Sequence, residues 1–149
     1  MKSIPREFSS LSAHLYDVRS GEYFGLTDAA EFDLSHRAAA VLAIMPYEVR
    51  GIELRVEPER TEPGGEVAIG ASVAVGEGNP GDHVLRVEVH DPSGRLSRAY
   101  TDNVLAAGGQ WQGKVPTAAN DQPGAWRVMV RDVISGNCAE AGFVIAEAE

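Results

Sequence analysis

Four histidines, His14, His36, His83 and His90, and one cysteine, Cys138, are the side chains of this 149-residue chain best suited to hold a metal or activate a nucleophile. Their spacing argues against both. Zinc ligands recur at short separations on one element or turn, whereas His83 and His90 bracket one predicted strand and would lie ~23 Å apart at a rise of about 3.3 Å per residue. Cys138 has no second cysteine to pair with, which excludes an internal disulfide and any multi-cysteine zinc site. Within SGNCAEAGFVI it reads as a small strand residue. The nucleophile elbow Gly-x-Ser-x-Gly, the phosphate loop Gly-x-x-x-x-Gly-Lys-Ser/Thr and the zinc motif His-Glu-x-x-His are absent. GEGNPG at 76–81 mimics the dinucleotide fingerprint but no helix follows it, so it reads as a loop.

Oxygen ligands gather near predicted loops: Glu77 with Asp82, Asp91, Asp102 with Asn103, and Asn120 with Asp121. Calcium takes six to eight such oxygens, but no Asp-x-Asp-x-Asp line is present and these residues read as solvated turns. Aromatic rings remain, because a sugar stacks its apolar face on an exposed one. Trp126 shares strand parity with Val128 and Val130 and belongs to the core. Trp111, in GGQWQGKVP, shares parity with Gly113 and Val115, which favours burial with Gln110, Gln112 and Lys114 outside. The alternative is an exposed platform, and Trp111 is then the one possible glycan contact. No catalytic residue, metal ligand or cofactor site is assigned, and no cofactor is expected.

These residues need elements to position them, and the elements are strands. In GIELRVEP, Ile52, Leu54 and Val56 oppose Glu53, Arg55 and Glu57; in HVLRVEVH, Leu85, Val87 and Val89 oppose Arg86, Glu88 and His90. EVAIGASVAV and AWRVMVRD alternate in the same way, and Gly, Pro, Asn and Asp crowd the gaps. Strands are predicted at 51–58, 66–76, 83–90, 97–105, 109–116, 125–133 and 138–147. Seven short strands over about 100 residues make an immunoglobulin-like sandwich at 50–149, expected to fold alone. Before it, 10–48 carries its own apolar set of Leu15, Tyr16, Tyr23, Phe24, Phe32, Leu42 and Ile44 and reads as a small β-segment. Its final stretch, 38–45, reads as a buried strand with a helix as the alternative, and PYEVRG at 46–51 as a joint. This segment either packs on the sandwich or ends a preceding β-domain. One turn pattern recurs in YDVRSG (16–21), HDPSGR (90–95) and RDVISG (131–136): an Asp that can bond nearby N–H groups, then a Gly free to take positive φ. All three are predicted hairpin tips.

Twenty-two acidic against 13 basic residues give a net charge of −9, which repels phosphate backbones and anionic lipids, so neither nucleic acid nor membrane is an expected partner. No apolar run approaches the ~18 residues of a membrane span. The opening MKSIPREFSS carries Lys2 and Arg6 without an apolar stretch after them, so no signal peptide is expected and residues 1–9 read as disordered. The chain is then cytosolic or part of a longer exported protein.

The stretch HLYDVRSGEYFGLTDAAEFDLSHRAAAVLAIMPYEV resembles the closing strands of the C-terminal β-domain in bacterial β-galactosidase-type glycoside hydrolases. The remainder, from GIELRV through DQPGAWRVMVRDVISGNCAEAGFVI, resembles the bacterial immunoglobulin-like or macroglobulin-type modules that follow such domains. DQPGAWRV is similar to the Asp-x-Gly-x-Tyr-x-Cys line of immunoglobulin strand F, with Trp126 at the tyrosine-corner position and Val128 where the cysteine would stand. No Cys faces it from 66–76 and no Trp lies in 83–90, which excludes disulfide-pinned relatives. The resemblance implies a non-catalytic accessory module whose partner is the catalytic domain of a parent chain or another protein surface. A carbohydrate-binding module with an aromatic platform is the alternative.

Overall fold

Alternation gives each strand one apolar face, and a register slip of one residue would turn that whole face to water, so the pattern specifies the pairing as well as the strands. The computed structural model describes residues 13–31, 35 and 39–147. The expected disorder of 1–9, and the residues His36 and Phe32, lie outside them. Among the described residues the elements are all strands: β1 (Ala13–Asp17), β2 (Glu22–Thr27), β3 (Leu42–Met45), β4 (Val49–Glu57), β5 (Arg60–Thr61), β6 (Glu66–Val75), β7 (His83–His90), β8 (Asp102–Ala106), β9 (Gln110–Pro116), β10 (Gly124–Asp132) and β11 (Cys138–Ile145).

The sandwich consists of a three-stranded sheet, β4-β6-β9, facing a five-stranded sheet, β5-β11-β10-β7-β8. Pairing is antiparallel except where β5 runs parallel to β11. Its interior is the apolar face read from the sequence: Val67, Ile69, Ala71 and Val73 from β6 meet Leu85, Val87 and Val89 from β7, Val128 and Val130 from β10, and Phe143 and Ile145 from β11. Removing one such side chain from the interior would cost about 2–5 kcal/mol. Trp126 is buried in this core, and its indole N–H donates to the carbonyl of Gln122 four residues upstream at 2.9 Å. The ring thus closes the corner that a tyrosine hydroxyl closes in immunoglobulin domains.

Three expectations need correction. The predicted buried strand at 38–45 is reduced to β3, an edge strand whose Leu42 and Ile44 are exposed, and no helix forms in its described part. Only Ala43 and Met45, on the opposite face, pack toward the core. The strand predicted at 97–105 is β8, displaced to 102–106, because the preceding residues are claimed by other partners. The Val89 N–H donates to the Thr101 hydroxyl, and the Tyr100 hydroxyl donates to Asp121 at 2.6 Å. Finally, β5 adds a short strand. There the Glu59 and Thr61 carbonyls accept from the Val144 and Ala146 N–H groups, carrying the chain from one sheet to the other.

The small sheet β2-β1-β3 packs on the sandwich rather than standing apart. Tyr16 and Tyr47 lie in the same buried cluster as Val49, Val67 and Val130, so the predicted joint at 46–51 is part of the core. Tyr16 stacks on Tyr23 (centroids 4.8 Å apart), and its hydroxyl accepts the Val49 N–H at 2.8 Å, tying β1 to the first sandwich strand.

In each of the three repeated turns the Asp carboxylate accepts a backbone N–H of its own turn, two residues on in the first two and three residues on in the third. Asp17 Oδ1 accepts the Arg19 N–H, Asp91 Oδ1 the Ser93 N–H and Asp132 Oδ2 the Ser135 N–H, each at 2.9 Å. The following glycines sit at positive φ: Gly21 at 72°, Gly94 at 82° and Gly136 at 73°. The first and third turns also touch. A Cβ on Gly136 would lie 3.2 Å from the Gly21 Cα, and a Cβ on Gly21 would lie 3.3 Å from the Ser135 carbonyl oxygen. Two glycines are needed here for both φ and contact.

Residues 50–149 hold every sandwich strand except the first residue of β4. That fragment is expected to unfold cooperatively but at a lower midpoint than the full chain. It lacks Tyr16 and Tyr47, and it leaves the His83 Nε2 and Gly81 N–H without the Tyr47 hydroxyl, a loss of about 3–5 kcal/mol. Thermal unfolding of both chains measures it, and equal midpoints would show that the small sheet adds nothing to the core.

Candidate functional site

Among the described residues, a connected group of ionisable and hydroxyl side chains lies inside the molecule, where the small sheet joins the sandwich. His83 opens β7 at the same parity as Leu85, Val87 and Val89 and therefore points inward. It is 1% exposed, and the Asp132 that meets it from the end of β10 is 0% exposed. His83 Nδ1 lies 2.8 Å from Asp132 Oδ1. A carboxylate only accepts, so Nδ1 carries the shared proton. Asp132 Oδ2 accepts the Ser135 hydroxyl at 2.6 Å and the Ser135 N–H at 2.9 Å. On the other side of the ring, His83 Nε2 meets the Tyr47 hydroxyl at 3.1 Å, and that hydroxyl accepts the Gly81 N–H at 2.8 Å. Asn137 extends the group, its side-chain amide donating to the Ser135 hydroxyl and to the Val49 carbonyl, both at 3.1 Å.

Burial pushes the Asp132 carboxyl up. The hydrogen bonds from His83 and from the Ser135 hydroxyl and N–H, with the attraction of the imidazole, outweigh it and hold the group below the ordinary carboxylate value. The residue types are those of a Ser-His-Asp triad, but the order is not. Acyl transfer needs the serine hydroxyl on the imidazole nitrogen opposite the carboxylate, so that the ring can take its proton. Here Ser135 bonds the carboxylate and Tyr47 occupies that nitrogen, so Ser135 has no base. What this arrangement does is join five pieces of backbone through one hydrogen-bond network: the turn before β4, the loop before β7, β7 itself, the end of β10 and the turn into β11.

The predicted site residues are not brought together. Trp111 is half-buried on β9, directly opposite Ala71 of β6, and packs against the core. Its ring folds back along its own strand so closely that a Cβ on Gly113 would overlap it. Gln110, Gln112 and Lys114 point to solvent. His14 bonds the Tyr23 hydroxyl in the small sheet, and His90 sits at the far end of β7 from His83. Cys138 is exposed, opposite Arg131. Several of the acidic residues hold backbone N–H groups: Asp82 accepts that of Gly108 in the turn between β8 and β9, Asp102 that of Asn103 and Asp121 that of Ala118, each at 2.8 Å. Among the described residues no three His, Cys, Asp or Glu side chains are placed to hold a metal ion. The buried network was missed in the sequence because its members are far apart in the chain, although the inward parity of His83 signalled an ionisable side chain in need of a partner.

Replacing Asp132 with Asn keeps the shape but turns an NH2 group toward either the His83 Nδ1 proton or the two Ser135 donors. Asp132→Asn is expected to cost about 3 kcal/mol at neutral pH. The folded-state pKa of Asp132 lies below its ordinary value of 3.8, so its contribution is fully present above that value and is lost as pH falls through the depressed one. Urea unfolding of both proteins should give a difference that is constant at neutral pH and narrows below about pH 4. A difference that grows on acidification would reverse the assigned sign.

No protein-family model matches the chain, and no curated protein matches it. Among solved structures, the alkylpurine DNA glycosylase AlkC of Pseudomonas fluorescens is 16% identical over 65% of this chain and 30% of that one, with a TM-score of 0.46. A β-glucosidase from Listeria innocua is 16% identical over 68% of this chain and 16% of that one, at 0.43. A Salmonella α2-macroglobulin mutant is 16% identical over 73% of this chain and 10% of that one, at 0.46. This chain therefore spans less than a third of each of these proteins, and likeness at this level carries no argument about activity.

Proposed function

We propose that the chain is a non-catalytic accessory module of a larger carbohydrate-active protein, packing against or spacing its catalytic part. The observation that carries the non-catalytic half is the state of His83 and Asp132. The best acid–base pair among the described residues is sealed from solvent, and its hydrogen bonds are spent on backbone segments and side chains of the fold. The carbohydrate association rests on the resemblance of residues 14–49 to the closing strands of β-galactosidase-type C-terminal domains. The proposed partner is the catalytic domain of the parent chain. A joint welded by Tyr16, Tyr47 and Asn137 suits a spacer, since it transmits orientation from one sheet to the next.

The second reading, a carbohydrate-binding module, is favoured by one observation: Trp111 is only half-buried. The two readings separate on Trp111→Ala. As an accessory module the chain should lose about 2–3 kcal/mol of stability, because the ring fills space over Gly113 and Ala71, and retention on a polysaccharide affinity gel should be absent before and after the change. A variant of unchanged stability that has lost glycan retention would promote the second reading. Purified chain is also expected to hydrolyse no chromogenic glycoside. Turnover that survives purification and disappears on changing a single carboxylate would overturn the accessory reading.

A further inference from the structure

A rigid aromatic ring with one face free is a ready stacking surface, because little conformational entropy is lost when a flat apolar group settles on it. Tyr23 of β2 is such a ring. It is 38% exposed, the one exposed Phe, Tyr or Trp among the described residues. Tyr16 covers one face, with the planes 25° from parallel. His14 holds the rim, its Nδ1 on the Tyr23 hydroxyl and the two ring planes 16° apart. The free surface is therefore the face turned away from Tyr16. The Tyr16 hydroxyl bonds the Val49 N–H, and the residues on either side of Val49 form an ion pair, Glu48 Oε2 to Arg50 Nε at 3.7 Å, with both side chains partly in water. Burial, and then the charge of Glu48, hold the Tyr23 hydroxyl above the usual tyrosine range, so the carboxylate is within electrostatic reach of the ring. The Arg50 guanidinium is seated over Gly76, where a Cβ would come within 3.2 Å of its Nε.

We propose that Tyr23, Glu48 and Arg50 form a subsite for one pyranose ring of a neutral sugar. A pyranose has an apolar face of C–H groups to lay on the open face of Tyr23, and a rim of hydroxyls that both donate and accept. Glu48 accepts and Arg50 donates, so the pair answers both roles. An anionic ligand would meet a net charge of −9. An organic cation needs the ring beside an unpaired carboxylate, and Arg50 already neutralises Glu48. One ring face and two side chains make a small contact, so the Kd lies in the millimolar range, too weak to retain the chain on a polysaccharide gel. The subsite lies where the small sheet meets β4, apart from Trp111 on β9, and does not depend on the accessory reading.

Methyl β-D-glucopyranoside and methyl β-D-galactopyranoside, titrated to about 50 mM against the full chain, should shift the amide resonances of residues 22–24 and 48–50 along one saturation curve. Tyr23→Leu keeps an apolar contact on Tyr16 but removes the ring, and should weaken binding about tenfold or more while thermal unfolding stays cooperative. Glu48→Gln keeps the shape and should weaken it less, and Trp111→Ala should leave it unchanged. Shifts that do not saturate with either glycoside, or that survive Tyr23→Leu, overturn the proposal. Saturation by tetramethylammonium chloride in place of the glycosides assigns the ring to a cation and overturns it as well.

Discussion

A carboxylate removed from water must be given other donors, and the placement of Asp132 imposes that requirement on much of this chain. Its two oxygens accept from His83, the Ser135 hydroxyl and the Ser135 N–H. Each donor is then held by something else. His83 meets Tyr47, which is held by Gly81, and Ser135 accepts from Asn137, which reaches the carbonyl of Val49. The start of β4, the start of β7 and the end of β10 come from distant parts of the sequence. A single buried charge thus specifies how they meet, where apolar packing alone would tolerate small slips.

The same corner explains why one turn sequence appears at two distant points in the chain. Asp17 and Asp132 each hold the tip of a hairpin, and each hairpin presents a glycine at positive φ to the other. The separation of the two glycine backbones leaves no room for a Cβ on either without movement of the other. Tyr16, just before Asp17, places its hydroxyl on the N–H of Val49, while Asn137, just after Gly136, bonds the carbonyl of that residue. Both backbone groups of Val49 are therefore satisfied by side chains flanking the two turns. The small sheet and the sandwich share a seam built from backbone contact and hydrogen bonds as well as apolar area.

Much of the fold was legible because period-two alternation encodes both strand and face. β7 falls where the pattern of HVLRVEVH puts it, and β6, β9, β10 and β11 differ from their predicted ranges by a residue or two at an end. The errors arose where tertiary partners outrank local pattern. Residues 97–101 read as strand, but after Ser97, whose N–H still reaches the Val89 carbonyl, the chain leaves the ladder, and Tyr100 and Thr101 are engaged by Asp121 and Val89. Leu42 and Ile44 read as buried from their types, yet β3 is an edge strand with that face to solvent. The two hydrogen bonds of the His83 ring span 36 and 49 residues, and no local spacing rule reaches that far. Its inward parity was the one available sign, and it gave no identity for the partner.

The two long ends of the sandwich are held differently, and the difference bears on the proposed role. At the end away from the small sheet, side chains also bind backbone and one another, Trp126 to Gln122, Tyr100 to Asp121, Asp91 to Ser93 and Arg95, and Thr117 to Gly65 across 52 residues, but no fully buried carboxylate is among them. At the end facing the small sheet, the bonds span the chain and cross from one structural unit to the other. A module that spaces or orients a larger protein needs rigidity at the junction through which orientation passes and can leave its far loops free to vary. Among the described residues the buried Asp132–His83 pair lies at that junction, and this placement is the physical basis for the proposed reading of the chain as a positioning element.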